Sequence, residues 1–240
     1  MRHVKVQSVF ATLQGEGRLA GTAAIFVRYV GCNVWSGLHR DRDRDVSRGF
    51  CAKFCDTDFV NVDKENHGGV YSEAGLVDRI AHLAEEHDTE LVVLTGGEPT
   101  LQVTAEFVDL LHNRSKMVAI ETNGSAMPPR NIDWISLSPK PPMRVHKDLI
   151  ANELKVLYPV VSHPDRYLHH LAAESFPGNA FVMPLDVFAP ARMLEAEYGT
   201  QSKVHLPFVT DDGVAACVKY VQENPGWKVG VQAHKLWGLK

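Results

Sequence analysis

Apolar runs of strand length alternate with amphipathic helical stretches through most of this chain, and nearly every run stops at a polar or glycine-bearing turn. Residues 24–30 are β-branched and aromatic, as in a buried strand, and end just before Cys32. From Glu73 to Glu86 the apolar positions Leu76, Val77, Ile80, Leu83 and Ala84 fall on one helical face. Residues 91–94 read as a strand closed by Gly96-Gly97, 104–111 as a helix, and 117–120 as a strand running into Glu121-Thr122-Asn123-Gly124. Further strands are expected at Trp134–Leu137, Glu153–Leu157, Ala180–Met183 and 228–231, whereas the start of the chain lacks strict two-residue alternation.

Strand-helix alternation predicts a parallel sheet with crossover helices, whose chemistry gathers at the strand ends. At 240 residues the chain is short for a full barrel of eight strand-helix units, so the expected fold is α/β, a partial, open TIM-like barrel. No repeat or linker divides it, and a single domain over residues 1–240 is expected. A formal charge of −4 provides no basic field for nucleic acid. No apolar run reaches membrane-spanning length, and Met1-Arg2-His3-Val4-Lys5 does not open a signal peptide. Partners are therefore expected to exclude nucleic acid and membrane, and the location to be cytoplasmic.

Three of the four cysteines fall close together: Cys32 in Gly31-Cys32-Asn33, then Cys51 and Cys55 in Cys51-Ala52-Lys53-Phe54-Cys55-Asp56-Thr57-Asp58. This is no disulfide framework. Three thiolates can hold three irons of a 4Fe-4S cluster and leave the fourth open to a reactant. A zinc site is the alternative, with His39, His67 or Cys217 as fourth ligand. Cys217, in an apolar helical stretch, reads as a core thiol, and His169-His170 as a helix surface. Arg28 lies late in an apolar strand, where a buried charge needs an anion, either an acid such as Glu16 or a ligand. Asp41-Arg42-Asp43-Arg44-Asp45, within an inserted loop at about 36–50, reads as a solvated excursion.

The cysteine triad together with Thr95-Gly96-Gly97-Glu98-Pro99 resembles the radical S-adenosylmethionine (SAM) superfamily, which favours the cluster over zinc. A narrower resemblance rests on Leu13-Gln14-Gly15-Glu16-Gly17, Gly31-Cys32-Asn33, Phe54-Cys55-Asp56-Thr57-Asp58, Glu121-Thr122-Asn123-Gly124-Ser125, Ser138-Pro139-Lys140, Asn152-Glu153-Leu154-Lys155-Val156 and Gln232-Ala233-His234-Lys235, in that order. Together these resemble the 7-carboxy-7-deazaguanine synthase family of queuosine biosynthesis. The resemblance implies a partial barrel of the radical SAM type. It also implies ring contraction of 6-carboxy-5,6,7,8-tetrahydropterin with loss of ammonia, performed by cluster and SAM without a catalytic side chain.

Residue by residue, it implies Cys32, Cys51 and Cys55 as cluster ligands and Thr57 as a magnesium (Mg2+) ligand. SAM contacts would come from Phe54, Cys55, Asp56, Gly97, Ser138, Pro139 and Lys140, and from Met183, Pro184, Leu185 and Asp186. Substrate contacts would come from Leu13, Gln14, Gly15, Arg28, Thr95 and the carboxylate of Lys240. The implied partners are an electron donor such as flavodoxin and a second copy of the chain in a homodimer. Two features depart from the pattern. Three residues separate Cys51 from Cys55 where the superfamily commonly has two, a change that either is absorbed by a bulge or leaves Cys51 poorly placed, and Met183 stands where glutamine is expected.

Overall fold

The computed structural model describes residues 2–185 and 211–239. Its strands are β1 (His3–Leu13), β2 (Ala23–Tyr29), β3 (Gly69–Ser72), β4 (Leu91–Gly96), β5 (Met117–Thr122), β6 (Trp134–Leu137), β7 (Glu153–Leu157), β8 (Ala180–Met183) and β9 (Trp227–Val229). The helices among the described residues are α1 (Arg42–Asp45), α2 (Glu73–Glu86), α3 (Ala105–His112), α4 (Asp211–Glu223) and α5 (Ala233–Leu236), with short 3-10 turns between. The strands form one sheet in the order β3-β1-β2-β4-β5-β6-β7-β8-β9, and no pairing among the described residues joins its two edges. This is the open α/β architecture expected, although the sheet is mixed rather than wholly parallel. From β2 through β9 neighbouring strands run parallel, and β1 is antiparallel to both β2 and β3.

The antiparallel edge was not anticipated, and β1 shows why. Its register shifts between Val6 and Ser8. A bulge there turns the later residues to the other face and breaks the two-residue period. Gln7 and Ser8 are consequently both buried.

Side-chain alternation divides the sheet into two faces. On one, Ile25, Val27, Val92, Leu94, Val118 and Ile120 pack against Leu76 and Ile80 of α2 and Phe107 and Leu111 of α3. Farther along, Leu154, Val156, Ala180 and Val182 pack against Cys217 and Tyr220 of α4. The opposite face begins with an apolar floor of Ala24, Leu91, Val93 and Ala119, flanked by Phe26 and Trp134. The same alternation then brings Arg28, Thr95, Glu121 and Ser136 onto that face, nearer the carboxyl ends of their strands. Helix starts are capped as their sequences suggest: Ser72 accepts from Gly75 N and Thr104 from Phe107 N.

Two local readings need correction. His170 is not on a helix surface; it is buried, with Nδ1 2.9 Å from the Leu149 carbonyl oxygen. Nor is the charged insertion only a solvated excursion, because Asp45 is fully buried and accepts from Ser36 N at 2.9 Å. Cys217 is the core thiol expected, and burial pushes its pKa up to about 12.

Leu111 has no exposed surface and fills the contact of α3 with the sheet. Leu111→Ala should therefore cost about 2–5 kcal/mol, seen as a lower urea midpoint with an unchanged slope.

Candidate active site

The site begins where two parallel strands leave the sheet together. Tyr29 of β2 and Gly96 of β4 are in register. Beyond them Gly97 N donates to the Tyr29 carbonyl at 3.3 Å and Glu98 N to the Gly31 carbonyl at 2.9 Å. A Cβ on residue 97 would lie 2.0 Å from the Gly31 carbonyl oxygen and 2.9 Å from Cys32 Cβ, so only glycine permits this approach. Glu98 is buried and fully used. It accepts from Thr122 Oγ1 and Asn123 N, both at 2.8 Å, and from Thr100 Oγ1 at 2.7 Å. Asn123 Nδ2 donates to Asn33 Oδ1 at 2.9 Å, and Asn33 Nδ2 to Ser125 Oγ at 2.7 Å. The ends of β2, β4 and β5 are thus tied around the first cysteine.

The other two cysteines sit on one turn. Residues Phe50–Lys53 form a 3-10 helix, and Cys55 N donates to the Cys51 carbonyl at 2.8 Å. The extra residue is absorbed as a helical turn rather than a bulge. All three cysteines pack against Val34, Trp35, Ala52 and Phe59. Burial raises the Cys32 thiol, and it pushes Cys51 up to about 12 against the pull of Lys140. Such thiols become ligands by exchanging their protons for metal. Among the described residues no three His, Cys, Asp or Glu side chains are grouped to hold one metal ion. An iron–sulfur cluster does not require that grouping, since each iron takes its own thiolate. Trp35 Nε1 is buried here without a hydrogen-bond partner among the described residues, a donor that sulfur could satisfy. The donor set fits a cluster, and Cys217, which belongs to a different packed group, is no fourth zinc ligand.

Phe54, Cys51, Pro139 and Lys140 line a small cavity of about 10 Å³ beside the cysteine turn. Lys140 Nζ donates to Ser138 Oγ at 2.5 Å. Met183, Pro184 and Leu185 are buried at the carboxyl end of β8. Asp186 and Lys240 lie outside the described residues.

A larger cleft of about 330 Å³ adjoins the cysteine loop, lined by Arg28, Asp56, Thr57, Asp58 and His234 among others. Asp56 is held by Lys235, and Asp58 accepts from Val60 N and Asn61 N. Arg28 makes no hydrogen bond or ion pair with the described residues. Burial lowers its pKa, opposed by the charges of Asp56, Cys55 and Asp58. Thr95 is paired in register with it across β2 and β4.

Glu16 is not the partner of Arg28. It belongs to a buried network centred on Lys155, whose Nζ lies 2.8 Å from Glu16 and 2.7 Å from Glu121. Gln14 Nε2 donates to Glu121 at 3.0 Å, while Gln14 Oε1 accepts from Gly15 N at 2.8 Å. Gly15 lies so close to His234 that a Cβ there would fall 2.2 Å from its Nδ1. Leu13 ends β1, opposite Ala23. Glu153 completes the network, accepting from Ser136 Oγ at 3.0 Å and from Arg18 N. Burial opposes ionisation at Lys155, but Glu121, Glu16 and Glu153 overcome it and raise its pKa. Burial likewise pushes Glu16 up, and Lys155 with Gln232 reverses the shift to well below the usual carboxylate range. Sequence reasoning names Glu121, Glu153 and Lys155 only inside motifs. The available signal was two opposite charges, two residues apart, in an otherwise apolar strand.

No protein-family model matches the chain. Relatives do, over 98% of both chains: the 7-carboxy-7-deazaguanine synthases of Bordetella pertussis at 39% identity, Bradyrhizobium diazoefficiens at 36% and Nitratidesulfovibrio vulgaris at 34%. The crystal structure of QueE from Escherichia coli has the same fold, with a TM-score of 0.63 at 24% identity over 97% of this chain and 95% of that one. Fold, cysteine loop and these relatives together define a radical SAM enzyme. Within that class, the chain belongs to the 7-carboxy-7-deazaguanine synthase family.

Two outcomes follow for this site. Gly97→Ala should cost about 1–3 kcal/mol through overpacking against the Gly31 backbone, read as a lowered melting temperature. Glu16, with its depressed pKa, contributes stability that is complete above its ordinary value of 4.5 and is lost as pH falls below it. Glu153, raised by burial, acts in the opposite sense, so the parent is compared with Glu16→Gln. The variant should lose less stability on acidification below pH 4.5 than the parent does in parallel denaturant titrations.

Proposed function

We propose that this enzyme converts 6-carboxy-5,6,7,8-tetrahydropterin to 7-carboxy-7-deazaguanine with release of ammonia, toward queuosine and other deazapurines. The observation that carries the reading is Arg28, a cation that makes no hydrogen bond or ion pair with the described residues, at a cleft beside the cysteine loop. A carboxylate on the substrate is the anion such a guanidinium needs. Substrate and product differ by one ammonia, so the conversion has no net redox change and any hydrogen removed must be returned.

Cys32, Cys51 and Cys55 hold the cluster, which with SAM supplies a hydrogen-abstracting radical when bound. Phe54, Cys55, Asp56, Gly97, Ser138, Pro139 and Lys140, with Met183, Pro184 and Leu185, would contact SAM when it is bound. Thr57 faces the cleft between two acids that are already engaged, which leaves its hydroxyl as a weak oxygen ligand for Mg2+. Such an ion keeps most of its waters and binds chiefly through an anionic substrate. Gln14, oriented by Glu121 and by Gly15 N, offers an amide edge to the pterin ring beside Leu13, Gly15 and Thr95. Reduced thiols require a reducing compartment, so the cytoplasm is the proposed location, flavodoxin the proposed donor and a homodimer the proposed assembly.

The test is anaerobic reconstitution with iron and sulfide, followed by reductant, SAM, Mg2+ and the carboxytetrahydropterin. Mass spectrometry should find a product lighter by ammonia. Arg28→Met should lower kcat/KM by about 30-fold, equivalent to about 2 kcal/mol of a lost charged hydrogen bond. SAM cleavage by the parent without deazaguanine would assign the site to another heterocycle.

A further inference from the structure

Arg42 stands in the middle of the charged insertion but is directed at the cysteine turn. Its Nη1 donates to the Ala52 carbonyl at 2.7 Å and its Nη2 to the Cys55 carbonyl at 3.0 Å. Nε donates to His39 Nδ1 at 3.3 Å, and the guanidinium carbon lies 4.4 Å from the Trp35 ring centroid. One planar fork therefore spans the very residues that widen the spacing between Cys51 and Cys55, and its flat face stacks on the indole against which all three cysteines pack. The other side of the insertion is fixed to the chain leaving Cys32. There Ser36 N donates to the buried Asp45 carboxylate at 2.9 Å, and Ser36 Oγ to Asp41 at 2.7 Å.

We propose that Arg42 is a positioning residue for the cluster: it clamps the widened 51–55 turn against Trp35, keeping Cys51 and Cys55 in reach of the cluster that Cys32 also binds. A helical turn with one extra residue leaves carbonyls at Ala52 and Cys55 that the turn itself does not use, and the guanidinium takes both. Lysine carries the same charge but lacks the fork. Arg44 supplies the control, since it lies in the same insertion and pairs with Asp41 and Asp45 rather than with the cysteine turn. The proposal rests on the cluster reading and is independent of the deazaguanine reaction.

The test compares the parent, Arg42→Gln, Arg42→Lys and Arg44→Gln after anaerobic reconstitution with iron and sulfide. Iron and sulfide per chain are measured, along with the electron paramagnetic resonance spectrum after dithionite, with and without SAM. Arg42→Gln should bind at least about twofold less iron, as expected for the loss of two charge-assisted hydrogen bonds, and show a broadened or altered signal. Arg42→Lys should be intermediate and Arg44→Gln should match the parent. Circular dichroism melts separate cluster loss from unfolding, and if Arg42→Gln does not fold, Arg42→Lys carries the comparison. Parental iron content and line shape in the folded Arg42 variants would overturn the proposal, as would an equal deficit in Arg44→Gln. Absence of iron uptake by the parent would overturn the cluster reading and the clamp with it. Full uptake without deazaguanine would refute only the proposed reaction.

Discussion

The structure depends on a backbone contact that no side chain can share. Gly97 abuts the Gly31 carbonyl at a distance that leaves no room for a Cβ, and this brings the turn after β4 against the residue preceding Cys32. Once those two strand ends are locked, Glu98 faces the end of β5 and takes up Thr122 and Asn123. Asn123 then reaches back to Asn33. Each bond is an ordinary hydrogen bond worth about 1 kcal/mol net, but together they close a loop through three strands. A buried carboxylate is tolerable only when satisfied in this way. The acid of the Gly-Gly-Glu-Pro turn is therefore structural in this chain, a brace for the rim rather than a proton carrier.

The same rim explains how much the sequence disclosed. Parallel strands buried on both faces read as continuous apolar runs, and β4 through β8 were legible for that reason. The helices were legible through their period and caps. β1 was not, because its bulge breaks the alternation on which a strand is recognised. β3 was missed as well; it is four residues long and gains its identity only by pairing with β1. Among site residues, the cysteines and the glycine turn were legible because their chemistry forces particular residue types. Lys155 was not, since its meaning lies in three acids drawn from separate segments, at Glu16, Glu121 and Glu153. His170 was misjudged because its ring is covered while that of His169, packed beside it at 4.0 Å between centroids, is exposed, and only packing reveals which one is inside.

The charged insertion shows a related limit. Alternating signs over Asp41-Arg42-Asp43-Arg44-Asp45 describe a solvated surface when taken alone. A short helix nevertheless separates these residues by direction, sending Asp45 inward to the chain after Cys32 and Arg42 toward the turn bearing Cys51 and Cys55. Long insertions cost little in closure entropy. What matters is therefore whether their side chains return to the core, and two of these do.

Charge is unevenly distributed along the sheet face that carries Arg28 and Glu121. At one end Arg28, which makes no hydrogen bond or ion pair with the described residues, lies beside the Thr57 hydroxyl and feels the charges of Asp56 and Asp58. At the other, three acids share Lys155, so carboxylate is in excess behind Gln14. His234 belongs to both regions, lining the cleft while it packs on Gly15. Burial strengthens both ends, because charges removed from water are poorly screened. In the proposed reaction a substrate carboxylate at Arg28 and a donor-bearing ring edge at Gln14 would together select one orientation. Electrostatic complementarity of this kind fixes register more than it adds affinity. A fixed register is what hydrogen abstraction from a single carbon requires, since a displacement of an ångström changes which hydrogen is nearest. The buried lysine and its acids touch none of the cysteines; through Glu121 they hold Gln14, the amide that the proposed reaction would set against the substrate ring.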